Sequence, residues 1–109
     1  MEVLHLAEDN FESTITNAKC PVIVDFWAPW CGPCKMLGPV FEGVAKQIED
    51  GKAIFAKVCV DDAPSLSRTY SVMSIPTIIM FFGGKEKERS VGYVDEEELK
   101  RFIAKLGVE

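Results

Sequence analysis

Nowhere in the 109-residue chain is there a run approaching the roughly 20 consecutive apolar residues of a membrane-spanning helix, which argues against a helical membrane protein. The first residues, Met1-Glu2-Val3-Leu4-His5, lack both the basic stretch and the apolar run of a signal peptide, so a soluble cytoplasmic protein is the expectation. Positive charge is in the minority. Twelve Lys and Arg against seventeen Asp and Glu leave a formal net charge of -5, and the basic residues are scattered among acids, so nucleic acid is not an expected partner. There is a single histidine, His5; with no second imidazole to join it, a packed or surface role is expected rather than metal ligation. Internal repeats, low-complexity tracts and Pro/Gly/Ser linkers are missing, as is any Gly-rich dinucleotide-binding loop. Cysteine is sparse: four residues, of which Cys20 and Cys59 stand alone at the ends of apolar segments. A zinc ribbon would supply a second close pair, so no metal site is expected, and both lone cysteines read as small hydrophobes near strands.

What remains is rich in core-forming residues. Hydrophobic side chains make up 48% of the chain, seven of them Phe, enough to pack one interior without structural disulfides. A single domain over residues 1–109 is predicted, with strand-like and helix-like segments alternating. A brief strand near Val3–Leu6 leads to a short helix through Phe11 and Ile15, with Asp9 and Asn10 as its caps. Val22-Ile23-Val24-Asp25-Phe26-Trp27 reads as a central strand covered on both faces, apart from the acid inside it. Leu37, Val40, Phe41, Val44, Ala45 and Ile48 recur at helical spacing, predicting a long amphipathic helix that starts near Cys34, ends before Gly51 and is kinked at Pro39. Ala53–Val60 is a further buried strand and Pro64–Tyr70 a short helix. Pro76–Phe82 is an apolar strand turned by Gly83-Gly84 into a charged edge strand that ends near Gly92. Asp95 with Glu98 makes a capping box for a final helix carrying Leu99, Phe102, Ile103 and Leu106. The order β-α-β-α-β-α-β-β-α implies an α/β fold with a mixed central sheet of about five strands and about four flanking helices.

The chemistry concentrates in Ala28-Pro29-Trp30-Cys31-Gly32-Pro33-Cys34-Lys35, where a buried strand gives way to a helix. Cysteines three apart on a first helical turn share a face and come within disulfide reach. So small a ring adds little stability, which favours a cycling disulfide over a structural one. The unpaired N–H groups and the positive end of the helix dipole favour a thiolate at Cys31, the attacking sulfur, while Cys34 lies one turn in, more buried, and waits as the resolving thiol. Pro33 suits the first turn, where a missing N–H costs little, Gly32 leaves the Cys31 sulfur open to a bulky disulfide, and Trp30 shields one side.

With Trp-Cys-Gly-Pro-Cys-Lys after Val-Asp-Phe-Trp-Ala, the chain closely resembles the thioredoxin family along essentially its whole length. Further matching features are Asp25, Lys57, Ser74-Ile75-Pro76-Thr77, Gly83-Gly84 and Gly92, in that order. Thioredoxin is itself a standard illustration of a C-x-x-C pair with a lowered thiol pKa, so the resemblance implies the direction of that effect at Cys31 and no magnitude. The resemblance implies the thioredoxin fold and reduction of protein disulfides: Cys31 attacks, a mixed disulfide forms, and Cys34 displaces the reduced client. It also implies resetting by thioredoxin reductase with electrons from NADPH, no bound cofactor, and a monomer. It places Asp25 and Lys57 beneath the cysteines; burial in an apolar strand raises the acid's pKa and the ammonium opposes that shift, so Asp25 is expected to accept the Cys34 proton through water, the alternative being a structural buried ion pair. It further implies a cis peptide before Pro76 that presents the Ile75 backbone to an extended client, and a docking surface of Trp30, Ile75, Pro76, Gly92 and Tyr93. Tyr93 stands where members of the family often carry a small residue. Two readings compete: a thiol oxidase or isomerase of the same fold, and a binding subunit that uses the same apolar face without cycling.

Overall fold

A computed structural model describes residues 1–109. Five strands and four helices alternate as β1 (Leu4–Leu6), α1 (Phe11–Asn17), β2 (Val22–Trp27), α2 (Gly32–Gln47), β3 (Ile54–Cys59), α3 (Pro64–Thr69), β4 (Thr77–Phe82), β5 (Lys85–Val91) and α4 (Glu96–Ala104). The strands form one sheet in the order β1-β3-β2-β4-β5. β1 and β2 run parallel to β3, while β4 pairs antiparallel with β2 and β5. The sheet is thus mixed, and the segment with no polar alternation apart from Asp25, β2, is its central strand. Gly83 and Gly84, at φ +64° and +78°, close the β4–β5 hairpin with two residues in a region that costs a side-chain-bearing residue energy.

Each face of the sheet buries a separate cluster. α2 and α4 close one, where Leu37, Phe41, Val44, Leu99 and Ile103 meet Ile23, Phe55, Ile78 and Met80. α1 and α3 close the other, where Phe11 and Ile15 meet Val22, Val24, Phe26, Val58, Ile79 and Phe81, joined by the partly buried Leu66 and Tyr70. The two-residue period of the strands sorts these side chains, so in β2 alternate residues go to opposite clusters.

α2 begins at Gly32, close to the expected start near Cys34, with Pro33 in its first turn and Cys31 as the N-cap, and it runs on through Pro39. One local expectation is corrected. Asn10 does occupy the N-cap position of α1, but its side chain caps nothing there: Oδ1 accepts instead from the Ala7 amide at 2.7 Å, and Asp9 lies outside the cap. The capping box of α4 is formed as predicted, with the Glu98 amide donating to Asp95 Oδ1 at 2.8 Å and the Asp95 amide to Glu98 Oε1 at 3.1 Å.

Candidate active site

The C-terminal end of β2 delivers the chain through Ala28-Pro29-Trp30 to the amino terminus of α2, and both cysteines of the pair lie at that junction. An N-cap residue ordinarily offers a side-chain oxygen to the free amides of the first turn. Here a sulfur takes that place: the Cys34 amide donates to Cys31 Sγ at 3.2 Å. The same interaction, added to the dipole of a 16-residue helix, favours negative charge on Cys31 once the pair is reduced. Cys31 and Cys34 are joined as a disulfide with Cα atoms 5.2 Å apart. Both are nearly covered, 6% and 3% exposed, in a small cluster with Ala28, Trp27, Val60 and Ile75. Cys31 Sγ also lies 3.7 Å from the Ile75 carbonyl oxygen.

Asp25 is fully buried in β2, the strand that leads to the pair, and neither carboxylate oxygen has a hydrogen-bond partner. Its register partner in β3 is Lys57. The Lys57 ammonium is held over the Trp27 ring at 4.7 Å from the centroid, and a Cβ on the buried Gly38 of α2 would lie 3.6 Å from it. Burial pushes the Asp25 carboxyl up to about 7, with the Lys57 charge pulling in the opposite direction. The result is a buried acid able to exchange a proton near neutral pH, on the sheet face that α2 covers.

Beside Cys31 opens a groove of about 660 Å³ lined by Trp30, Gly32, Pro33, Val60, Met73 and Ile75, among others. Trp30 is 68% exposed, and its indole N–H donates to Asp61 at 2.9 Å, which steadies the ring at the rim. The Ile75-Pro76 peptide is cis, as the resemblance implies. Pro76, Gly92 and Tyr93 do not line the groove, and Pro76 is buried, which corrects its expected place on the docking surface: at the cis bond its ring is turned inward and Ile75 is left at the groove. Gly92 is tied to Pro76 by an amide-to-carbonyl bond of 2.8 Å at φ +97°, and Tyr93 follows it with an exposed ring. The fold therefore brings Cys31, Cys34, Gly32, Pro33, Trp30 and Ile75 to one place, while Asp25 and Lys57 are brought together as register partners on β2 and β3.

Sequence reasoning passed over Val60, Asp61 and Met73. Asp61 is one of two successive acids after β3, and nothing local says which of them reaches the indole; Val60 and Met73 become groove residues only once α3 is folded back. Cys20 and Cys59 are partly exposed free thiols, and no three His, Cys, Asp or Glu side chains converge as a metal ion would require.

A thioredoxin family model matches residues 2–105. The chain is 42% identical over 104 residues to the chloroplastic M-type thioredoxin of Zea mays, an alignment covering 95% of this chain and 62% of that protein. To thioredoxin of Haemophilus influenzae it is 40% identical, with 94% of each chain covered, and to that of Alicyclobacillus acidocaldarius 43% identical, with 91% and 92% covered. A solved structure of a mutant thioredoxin from Halobacterium salinarum superposes with a TM-score of 0.86 at 36% identity, covering 96% of this chain and 90% of that one. The chain spans only 56% to 62% of the length of the chloroplastic relatives.

Proposed function

The chain belongs to the thioredoxin family, and from that premise we propose that it reduces disulfides of client proteins and is itself reset by a thioredoxin reductase using NADPH. As a member it is a dithiol/disulfide oxidoreductase of the thioredoxin type. The observation that carries the reducing role is Cys31 Sγ at the N-cap of α2, accepting the Cys34 amide at the edge of an open groove.

The Cys31 thiolate attacks one sulfur of a client disulfide; the S–S bond breaks, the second client sulfur leaves as thiolate and takes a proton, and a mixed disulfide remains. Cys34 then loses its proton to Asp25, through an intervening water, and attacks Cys31 Sγ. The mixed disulfide breaks, the client leaves as a dithiol, and the pair is oxidised by the two electrons the client gained. A neutral thiol hands its proton most readily to a base whose own pKa lies near the working pH, which is where burial holds Asp25. Lys57 keeps that carboxyl from rising further. Gly32 and Pro33 leave the sulfur accessible at the first turn, and Trp30, Ile75, Gly92 and Tyr93 form the client surface, with the Ile75 backbone available for strand-like pairing. The chemistry needs no bound cofactor. We place this single-domain monomer in the cytoplasm, a reducing compartment in which Cys20 and Cys59 stay unpaired.

The test is NADPH-dependent reduction of insulin disulfides with thioredoxin reductase. Wild type is active and Cys31→Ser inactive. Failure of wild type with reductases of several sources would reject the reducing role and leave the oxidase or isomerase direction, or partner binding without cycling.

A further inference from the structure

We propose that Met73 is a site of reversible oxidation by peroxides, and that conversion of its thioether to the sulfoxide weakens client docking in the groove beside Cys31. The inference rests on the reading of that groove as the place where clients dock.

Methionines differ sharply in access here. Met80 is fully buried in β4, Met36 on α2 is 60% exposed, and Met73 is 92% exposed while lining the same groove as Cys31. The exposure is built into the backbone. At the end of α3, the Ser71 amide donates to Arg68 O at 3.2 Å and the Val72 amide to Ser67 O at 2.8 Å. Ser71 turns the chain through a left-handed φ of +52°. Arg89 then pins the Tyr70 and Ser71 carbonyls at 2.5 and 3.2 Å, and on the far side Thr77 Oγ1 donates to Ser74 O at 2.6 Å. A segment fixed at both ends holds Met73 out to solvent at the groove, where its side chain cannot fold into the core.

The chemistry balances without a cofactor. The thioether sulfur attacks one peroxide oxygen, the O–O bond breaks, an S=O bond forms, and the other oxygen leaves as water or an alcohol; the methionine loses two electrons and the peroxide gains them. While Cys31 and Cys34 are paired, neither presents a thiolate for peroxide to consume. The product replaces an apolar, adaptable side chain with a polar sulfoxide beside Trp30, Val60 and Ile75, and a client that covers it must desolvate that group. Methionine sulfoxide reductases reverse the change.

The experiment treats the disulfide form with graded hydrogen peroxide, maps each methionine by peptide mass spectrometry, removes the peroxide, and assays reduction of insulin and of a small aromatic disulfide. Met73 should oxidise several times faster than Met36, with Met80 untouched. The KM for insulin should rise about five-fold, close to 1 kcal/mol, with the small disulfide unaffected, and sulfoxide reductase treatment should restore it. Met73→Leu, compared with its own untreated sample, should lose the sensitivity. Equal sensitivity in Met73→Leu would assign the effect to Cys20, Cys59 or another residue and overturn the proposal. So would Met73 oxidising no faster than Met36, or an unchanged KM once Met73 is fully converted. If untreated protein does not reduce insulin at all, the docking reading itself fails and this proposal with it.

Discussion

The two faces of the sheet share strands, register and helical cover, yet they are used differently. The α1/α3 face buries no charged group, and Phe11 packs there with Phe26, Tyr70 and Phe81 at ring separations of 6.2, 5.5 and 5.6 Å. On the α2/α4 face the same strand β2 presents Asp25, and β3 presents Lys57 opposite it. An unpartnered buried carboxyl is costly, and no packing advantage offsets it. One face is spent on stability; the other gives some of it up at Asp25, the group proposed above to accept the Cys34 proton.

The sharpest break of this contrast lies at the cysteines. Cys34→Ser should cut turnover at least about 10⁴-fold, over 5 kcal/mol in barrier terms, and accumulate a mixed disulfide with client that reducing gel conditions dissolve. Cys31→Ser should be equally inactive and trap nothing, while Cys20→Ser and Cys59→Ser stay within about twofold of wild type, as residues away from the reacting sulfurs should. Next in size is Phe11→Ala on the apolar face. It should lower unfolding free energy by about 3–5 kcal/mol in denaturant titration, while kcat/KM per folded molecule is kept. A specific loss of rate there would erase the division between the faces.

Asp25 tests the same division through pH. Its folded pKa of about 7 lies above the ordinary carboxylate value, so between about pH 4 and 7 the folded state holds a proton that the unfolded chain has lost. Stability from this group is therefore full below about pH 4 and falls as pH rises through 7. Asp25→Asn removes the penalty: at pH 8 it should unfold at higher denaturant than wild type, by up to about 4 kcal/mol at 1.36 kcal/mol per unit, and at pH 4 by almost nothing. The step that resolves the mixed disulfide should slow and lose its inflection near pH 7. A variant no more stable at pH 8 than at pH 4, relative to wild type, would mean that Asp25 does not titrate alone.

Much of this arrangement is legible in the chain itself. The apolar runs name the strands, the helical spacing from Leu37 to Ile48 and the Asp95–Glu98 box name two helices, and Asp25 stands out because nothing else in its segment is polar. Cys31 and Cys34 follow from where the pair falls, at a strand-to-helix junction. Which of several partners a polar side chain takes, and contacts between segments distant in sequence, are less visible. Asn10 turns back to Ala7 because its side chain can satisfy either that amide or the helix, and composition does not say which. Asp61 reaches Trp30 across 31 residues, and the groove walls at Val60 and Met73 exist only after α3 packs.

Arg89 carries the smallest expected effect and the most direct challenge to a mute apolar face. It lies on β5 opposite Ile79, one of the buried residues of that face. Its guanidinium pairs with Glu86 through Nε and Nη2, each at 2.8 Å, and with the same fork reaches the Tyr70 and Ser71 carbonyls. The chain from there runs directly to Ile75, whose carbonyl oxygen faces Cys31 Sγ. An arginine fork is needed because one flat group must satisfy a carboxylate and two carbonyls at once; lysine supplies a single point charge. The exposed half of the arrangement is worth little in stability, so Arg89→Ala should cost only about 1 kcal/mol of unfolding free energy. Its greater consequence is positional: the loop from Ser71 to Ile75 loses its anchor to β5, and KM for a protein disulfide should rise about threefold with kcat held, while a small disulfide that does not use the loop is reduced normally. Arg89→Lys should fall between the two. Equal losses on both substrates would make Arg89 a stability residue alone and return the apolar face to packing; a selective loss would show that Arg89 positions the Ser71–Ile75 loop that borders the groove.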